Sequence, residues 1–182
     1  MKAEPIDILD EIENNPDLVA GHKFNGFNER LVIKDGIIKM FNRSGSEQTE
    51  NVPHITKVKV PNTLDLILMG EGYAKSGRVE DAKSIFGSGK EHALNWQNTN
   101  GKALFTVVNI TRFKSVDITN LTFGNRLPIL QQTVALLVSY GMPIDLEVLV
   151  STNKKALFNK IISNGGEGVV IKKLSGFEND WF

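Results

Sequence analysis

Residues 31–41, LVIKDGIIKMF, alternate apolar and polar side chains on either side of Asp35-Gly36. Asp-Gly is a favoured pair for a two-residue hairpin, because both positions take the left-handed backbone that matches the twist of the flanking strands. The chain is therefore expected to carry an antiparallel hairpin near its start, and an all-helical fold is excluded. Downstream the periodicity changes repeatedly. Residues 65–74 (DLILMGEGYA) predict a strand running into a glycine-flanked turn, and 78–86 and 90–97 predict two short helices parted by Gly87-Ser88-Gly89. Residues 104–110 (LFTVVNI) predict a strand, and 126–141 the longest helix, stopped by Gly141. A strand over 144–150, a helix over 153–166 with a glycine stop and a final strand over 167–173 complete the series, and 5–15 read as a short amphipathic helix ended by Pro16. Hairpins and helices in irregular order predict an α+β fold of mostly antiparallel sheets with flanking helices, not a doubly wound sheet. With no repeat and no low-complexity linker, residues 1–182 read as a single domain.

Composition narrows the chemistry. The 21 basic and 21 acidic residues cancel, so a nucleic-acid substrate would be held weakly by this piece alone. The sequence has no cysteine, which removes disulfides, thiol nucleophiles and zinc ribbons. Met1–Pro16 is acidic where a secretory leader would be basic and then apolar, and Leu127–Val138 is too short to span a membrane. Gly87-Ser88-Gly89-Lys90 fails as a phosphate loop at Ser84 and at Glu91, and His22, His54 and His92 lack metal-ligand spacing. What remains is a set of charged residues at strand mouths: Lys23, Arg43, Glu71, Glu167 and Lys172. Charges there are costly unless a ligand or partner satisfies them, which points to a shared pocket.

The runs around these residues resemble a known family. HKFNGFNER resembles motif I of the covalent nucleotidyltransferases, Lys-x-Asp-Gly-x-Arg, whose lysine becomes nucleotidylated. FNRSG resembles the next motif, which supplies an arginine, MGEGYA the Asp-Gly-Glu motif, and GEGVVIKK the Glu-Gly-x-Val-x-Lys motif. The four fall in family order from residue 22 to 173, and the stretches between them resemble ATP-dependent DNA ligases of phage and bacterial type. The resemblance implies the adenylation-domain fold, with ATP and Mg²⁺ as cofactors, nicked double-stranded DNA as partner, and a monomeric, cytoplasmic protein of DNA replication or repair. It implies Lys23 as the catalytic nucleophile that forms lysyl-AMP. His22, Asn28, Arg43, Glu71 and Lys172 would join Lys23 around the nucleotide, and Glu167 and Glu71 would serve the metal. Adenine would stack on the strand 104–110, where the aligned position is Val108 and the nearest aromatic is Phe105.

Three departures qualify that picture. Asn25 stands where the motif has an acid and Asn28 where it has a basic residue. The sequence ends at Glu178–Phe182, where the family continues with a Lys-x-Lys motif and an OB-fold domain, so an adenylation domain alone is expected. An RNA ligase of the same superfamily, or a nucleotide- or nucleic-acid-binding module with impaired catalysis, remains an alternative.

Overall fold

A computed structural model describes residues 7–177. The elements run α1 (Asp7–Glu13), β1 (Leu18–His22), β2 (Phe27–Lys34), β3 (Ile37–Asn42), α2 (Pro53–Thr56), β4 (Asp65–Tyr73), α3 (Val79–Phe86), α4 (Lys90–Asn100), β5 (Leu104–Phe113), β6 (Val116–Asp117), α5 (Phe123–Ser139), β7 (Asp145–Leu146), α6 (Lys154–Ser163) and β8 (Val169–Lys173). The expected hairpin is β2–β3, with Asp35 at φ 52° and Gly36 at φ 75°. Both values lie in the left-handed region the two-residue turn requires. Strands β3-β2-β4-β5-β6 form one antiparallel sheet, to which β7 adds two residues in parallel against β5. The α+β, mostly antiparallel architecture is the one expected. None of the described helices is long and apolar enough to cross a membrane.

One face of this sheet supplies the core. Leu31, Ile33, Leu66, Leu68, Phe105 and Val107 are buried with Ile85 and Phe86 of α3 and Leu130, Val134 and Leu137 of α5. Fully burying such a side chain is worth about 1.5–3 kcal/mol, so this face dominates the stability. The Gly-Glu-Gly of β4 is not a turn, as expected from the sequence, but mid-strand. A Cβ on Gly70 would lie 2.5 Å from the Phe105 ring, and one on Gly72 would lie 2.4 Å from the Phe86 ring. The two glycines let buried phenyl rings press against the strand, while Glu71 between them points to the opposite face.

A second sheet pairs β1 with β8, antiparallel, from Leu18↔Lys173 to His22↔Val169. Helix α6 lies beside both strands, and its Lys154 reaches back to the carbonyls of Glu13 and Asn15 at 3.0 and 3.1 Å. The strand expected over 144–150 is realised only as β7; Val150 then bridges to Ala20 of β1. Between the last bond to β5, from the Glu147 amide to the Val107 carbonyl, and the bridge at Val150 the chain passes from one sheet to the other.

Candidate functional site

The two sheets face each other across a cleft of about 760 Å³. His22, Lys23, Asn28, Arg43, Glu71, Val108, Glu167 and Lys172 all line it, so eight of the nine residues singled out from the sequence converge. Phe105 does not. It pairs opposite Gly72 while its neighbour Thr106 pairs opposite Glu71, so the ring belongs to the other face of the sheet and is 1% exposed in the core. As a stacking surface for adenine it is ruled out by burial.

Local geometry explains how each side chain arrives. The Lys23 amide donates to the Gly168 carbonyl at 3.0 Å, extending the β1–β8 ladder by one step. That step brings the Lys23 ammonium into contact with the Glu167 carboxylate, both about 45% exposed at the cleft mouth. Gly26 follows at the closest approach to β4: a Cβ there would lie 2.7 Å from the Gly72 carbonyl oxygen and 3.2 Å from Glu71 Oε2. Asn28 and Glu71 face each other across β2 and β4. Burial pushes the Glu71 carboxyl up to about 7 from 4.5, against the pull of the Asn28 hydrogen bond and the Lys23 charge. Asn25 Oδ1 is buried and has no hydrogen-bond partner among the described residues.

The back wall comes from β5 and β8. Pairing between β4 and β5 skips Val108, since Met69 pairs with Asn109 and Gly70 with Val107. Such a β-bulge re-aims a side chain, and here it turns Val108 into the cleft. Lys172 of β8 donates to the Val108 carbonyl at 3.2 Å and to the Glu147 carboxylate, with its ammonium 5.3 Å from the Phe123 ring centre. His22 is held towards its neutral form by burial, and its ring lies 4.5 Å from Phe24, which stacks on Tyr73 at 4.9 Å.

Glu147, Phe24, Asn25 and Val170 line the cleft without having been singled out as binding residues. Glu147 gave only a weak signal, the second of two acids in the otherwise apolar run IDLEVLV. The lining carries the cations of Lys23, Arg43 and Lys172 against the carboxylates of Glu71, Glu147 and Glu167. An anionic ligand therefore meets a formally balanced wall, and must draw the carboxylates away from the lysines or bring a cation of its own.

Comparison with known proteins completes the description. A family model described as "ATP dependent DNA ligase domain" matches residues 1–179. Among curated proteins no sequence matches the chain. A mycobacterial DNA ligase D complexed with ATP and MES superposes with a TM-score of 0.67 at 15% identity, over 88% of this chain and 49% of that one. The Chlorella virus DNA ligase-adenylate gives 0.56 at 16% identity, over 97% and 60%. The bacteriophage T7 ATP-dependent DNA ligase complexed with ATP gives 0.61 at 11%, over 96% and 62%. At such identities these likenesses establish the fold alone, and the chain spans about half to three-fifths of the ligases it matches.

Proposed function

The chain belongs to the ATP-dependent DNA ligase domain family, and on that premise we propose that its cleft binds ATP and that Lys23 takes up AMP. The observation that carries this reading is the convergence of Lys23, Arg43 and Lys172 with Glu71 and Glu167 on one cleft between two sheets. In the step proposed, Lys23 Nζ gives up a proton to water and forms a bond to the α-phosphorus of ATP. The bond from that phosphorus to the bridging oxygen of the β-phosphate breaks, and pyrophosphate leaves. AMP would then pass from Lys23 to the 5′-phosphate of a nick in double-stranded DNA, and sealing would release it.

The side chains suit these tasks. Attack needs the free amine, so the proton must leave Lys23 before its nitrogen bonds to phosphorus, and the contact with Glu167 holds that nitrogen at the cleft mouth. Glu71, half-buried beside Asn28, suits a ribose hydroxyl, and Arg43 suits phosphate. Val108 and Val170 offer apolar walls where a base can lie. The hard oxygens of Glu167 and Glu71, and Asn25 Oδ1, which has no partner among the described residues, suit Mg²⁺, which takes one or two carboxylates and completes its shell with water and substrate phosphate. Bound there, Mg²⁺ would neutralise charge developing on the phosphates.

Intact-mass measurement after incubation with ATP and Mg²⁺ tests the reading. One added AMP is expected on the parent chain and none on Lys23→Ala. An adduct persisting in Lys23→Ala would sink the assignment of the nucleophile.

A further inference from the structure

The cleft wall contains one buried carboxylate that no motif announces. Glu147 is 6% exposed, whereas Glu167 stands at the cleft mouth and Glu71 is half-buried. Its amide donates to the Val107 carbonyl at 3.0 Å, fixing its backbone to β5. Its carboxylate contacts the Lys172 ammonium, and both side chains are nearly inaccessible, at 3% and 4%. It passes β1 at Gly21, where a Cβ would lie 1.9 Å from Glu147 Oε1. A side chain at Gly21 would displace the carboxylate from where it meets Lys172, so β1, β5, β8 and the segment after β7 all border this one side chain. The Val108 carbonyl and the Phe123 ring also contact Lys172.

Resting on the nucleotide-binding reading above, we propose that Glu147 is a positioning residue, whose carboxylate fixes the Lys172 ammonium in the cleft wall so that its charge faces the phosphates of ATP. An ion pair this deeply enclosed is a poor device for stability, since desolvation offsets most of its attraction. What it provides is a cation that cannot swing. A fixed charge binds an anion without first losing side-chain freedom, whereas an unrestrained lysine loses rotamer entropy on being ordered.

The sign of one measurement separates positioning from simple electrostatics. A carboxylate that merely repelled the phosphates would, on removal, leave ATP bound more tightly. A carboxylate that positions Lys172 would leave it bound more weakly. The test is a double-mutant cycle read as the Kd for ATP with Mg²⁺ by titration calorimetry, in a Lys23→Ala background that forms no adduct. Glu147→Gln is expected to weaken binding by about tenfold, the scale of one charge-assisted hydrogen bond. The pair Glu147→Gln/Lys172→Gln, in which two amides replace the buried charges, is expected to bind with the same affinity as Lys172→Gln alone. Unchanged or tighter binding by Glu147→Gln overturns the proposal. So does a double variant weaker than Lys172→Gln by the full Glu147→Gln factor, and so does a background that binds no ATP. If Glu147→Gln does not fold, the double variant against Lys172→Gln decides alone: equal affinity supports positioning, and tighter or weaker binding by the double overturns it. The nucleotidyl-transfer reading fails by another signature, the absence of an AMP-sized mass increment on a parent chain that still binds ATP.

Discussion

The stability of Glu29→Gln relative to the parent should rise with pH between about 5 and 8. Glu29 lies in β2 with its side chain fully buried, and neither carboxylate oxygen has a hydrogen-bond partner among the described residues. Burial first, and the Glu71 charge second, push its carboxyl up to about 8 from 4.5. Between those values the folded protein holds a proton that the unfolded chain releases. Stability therefore falls as pH rises through the window, and the loss is complete above about 8. Each pH unit within it costs about 1.4 kcal/mol, so moving from pH 5 to pH 7.5 costs about 3 kcal/mol. Glutamine does not titrate. The advantage of Glu29→Gln over the parent should grow by that amount between the two pH values, or roughly 6–12 °C in Tm for a chain of this size. Taking the difference cancels whatever the amide itself costs in the core. Urea unfolding of both proteins at both pH values measures it. Parallel pH dependences would refute the reasoning, because they would mean that the folded chain carries Glu29 ionised at no cost.

Three further outcomes follow from the cleft. In a chain extended by the family's Lys-x-Lys motif and OB-fold domain, Asn25→Asp should speed nick sealing from the adenylated state by about a hundred- to a thousandfold, the scale of one positioned group at a transition state; equal single-turnover rates would show the acid to be dispensable. Gly26→Ala sets a Cβ 2.7 Å from the Gly72 carbonyl, which cannot swing aside. Adduct formation should slow on the order of a hundredfold, and a parental rate in time-resolved intact mass would refute this. Because burial raises Glu71 to about 7, its ionised form gains population as pH rises through that value, and ATP affinity should rise with it. Calorimetry should find this rise absent in Glu71→Gln, and a pH-independent parent would remove Glu71 from the binding step.

The elements legible in the sequence are those whose signal is local. The Asp35-Gly36 turn with the alternation around it, the apolar run of β4 and the glycine-stopped helices α5 and α6 each announce themselves locally. Strand β1 does not, because Leu18–His22 has no alternation, contains Gly21 and finds its partner only at Val169–Lys173. The site divides along the same line. Lys23, Arg43, Glu71, Glu167 and Lys172 were legible as charges at strand mouths and through family motifs. Phe105 misled because LFTVVNI is apolar on both faces, and the bulge at Val108 leaves no trace in composition. Glu147 stayed hidden because its meaning lies in Gly21 and Lys172, remote in sequence and adjacent only after folding.

The pairing of β1 with β8 also sets an order of events during synthesis. Strand β1, which ends one residue before Lys23, leaves the ribosome early, and its partner follows roughly 150 residues later, on the order of ten seconds or more at ordinary elongation rates. The hairpin and central strands pair with near neighbours and can assemble meanwhile, whereas Lys23 has no Gly168 carbonyl to dock on until the last strand emerges. Nascent chains stalled before residue 169 should thus protect the amides of β2 and β4 from hydrogen exchange while leaving those of β1 open. Competence for nucleotide would arrive late and all at once, so unfinished chains would not sequester ATP.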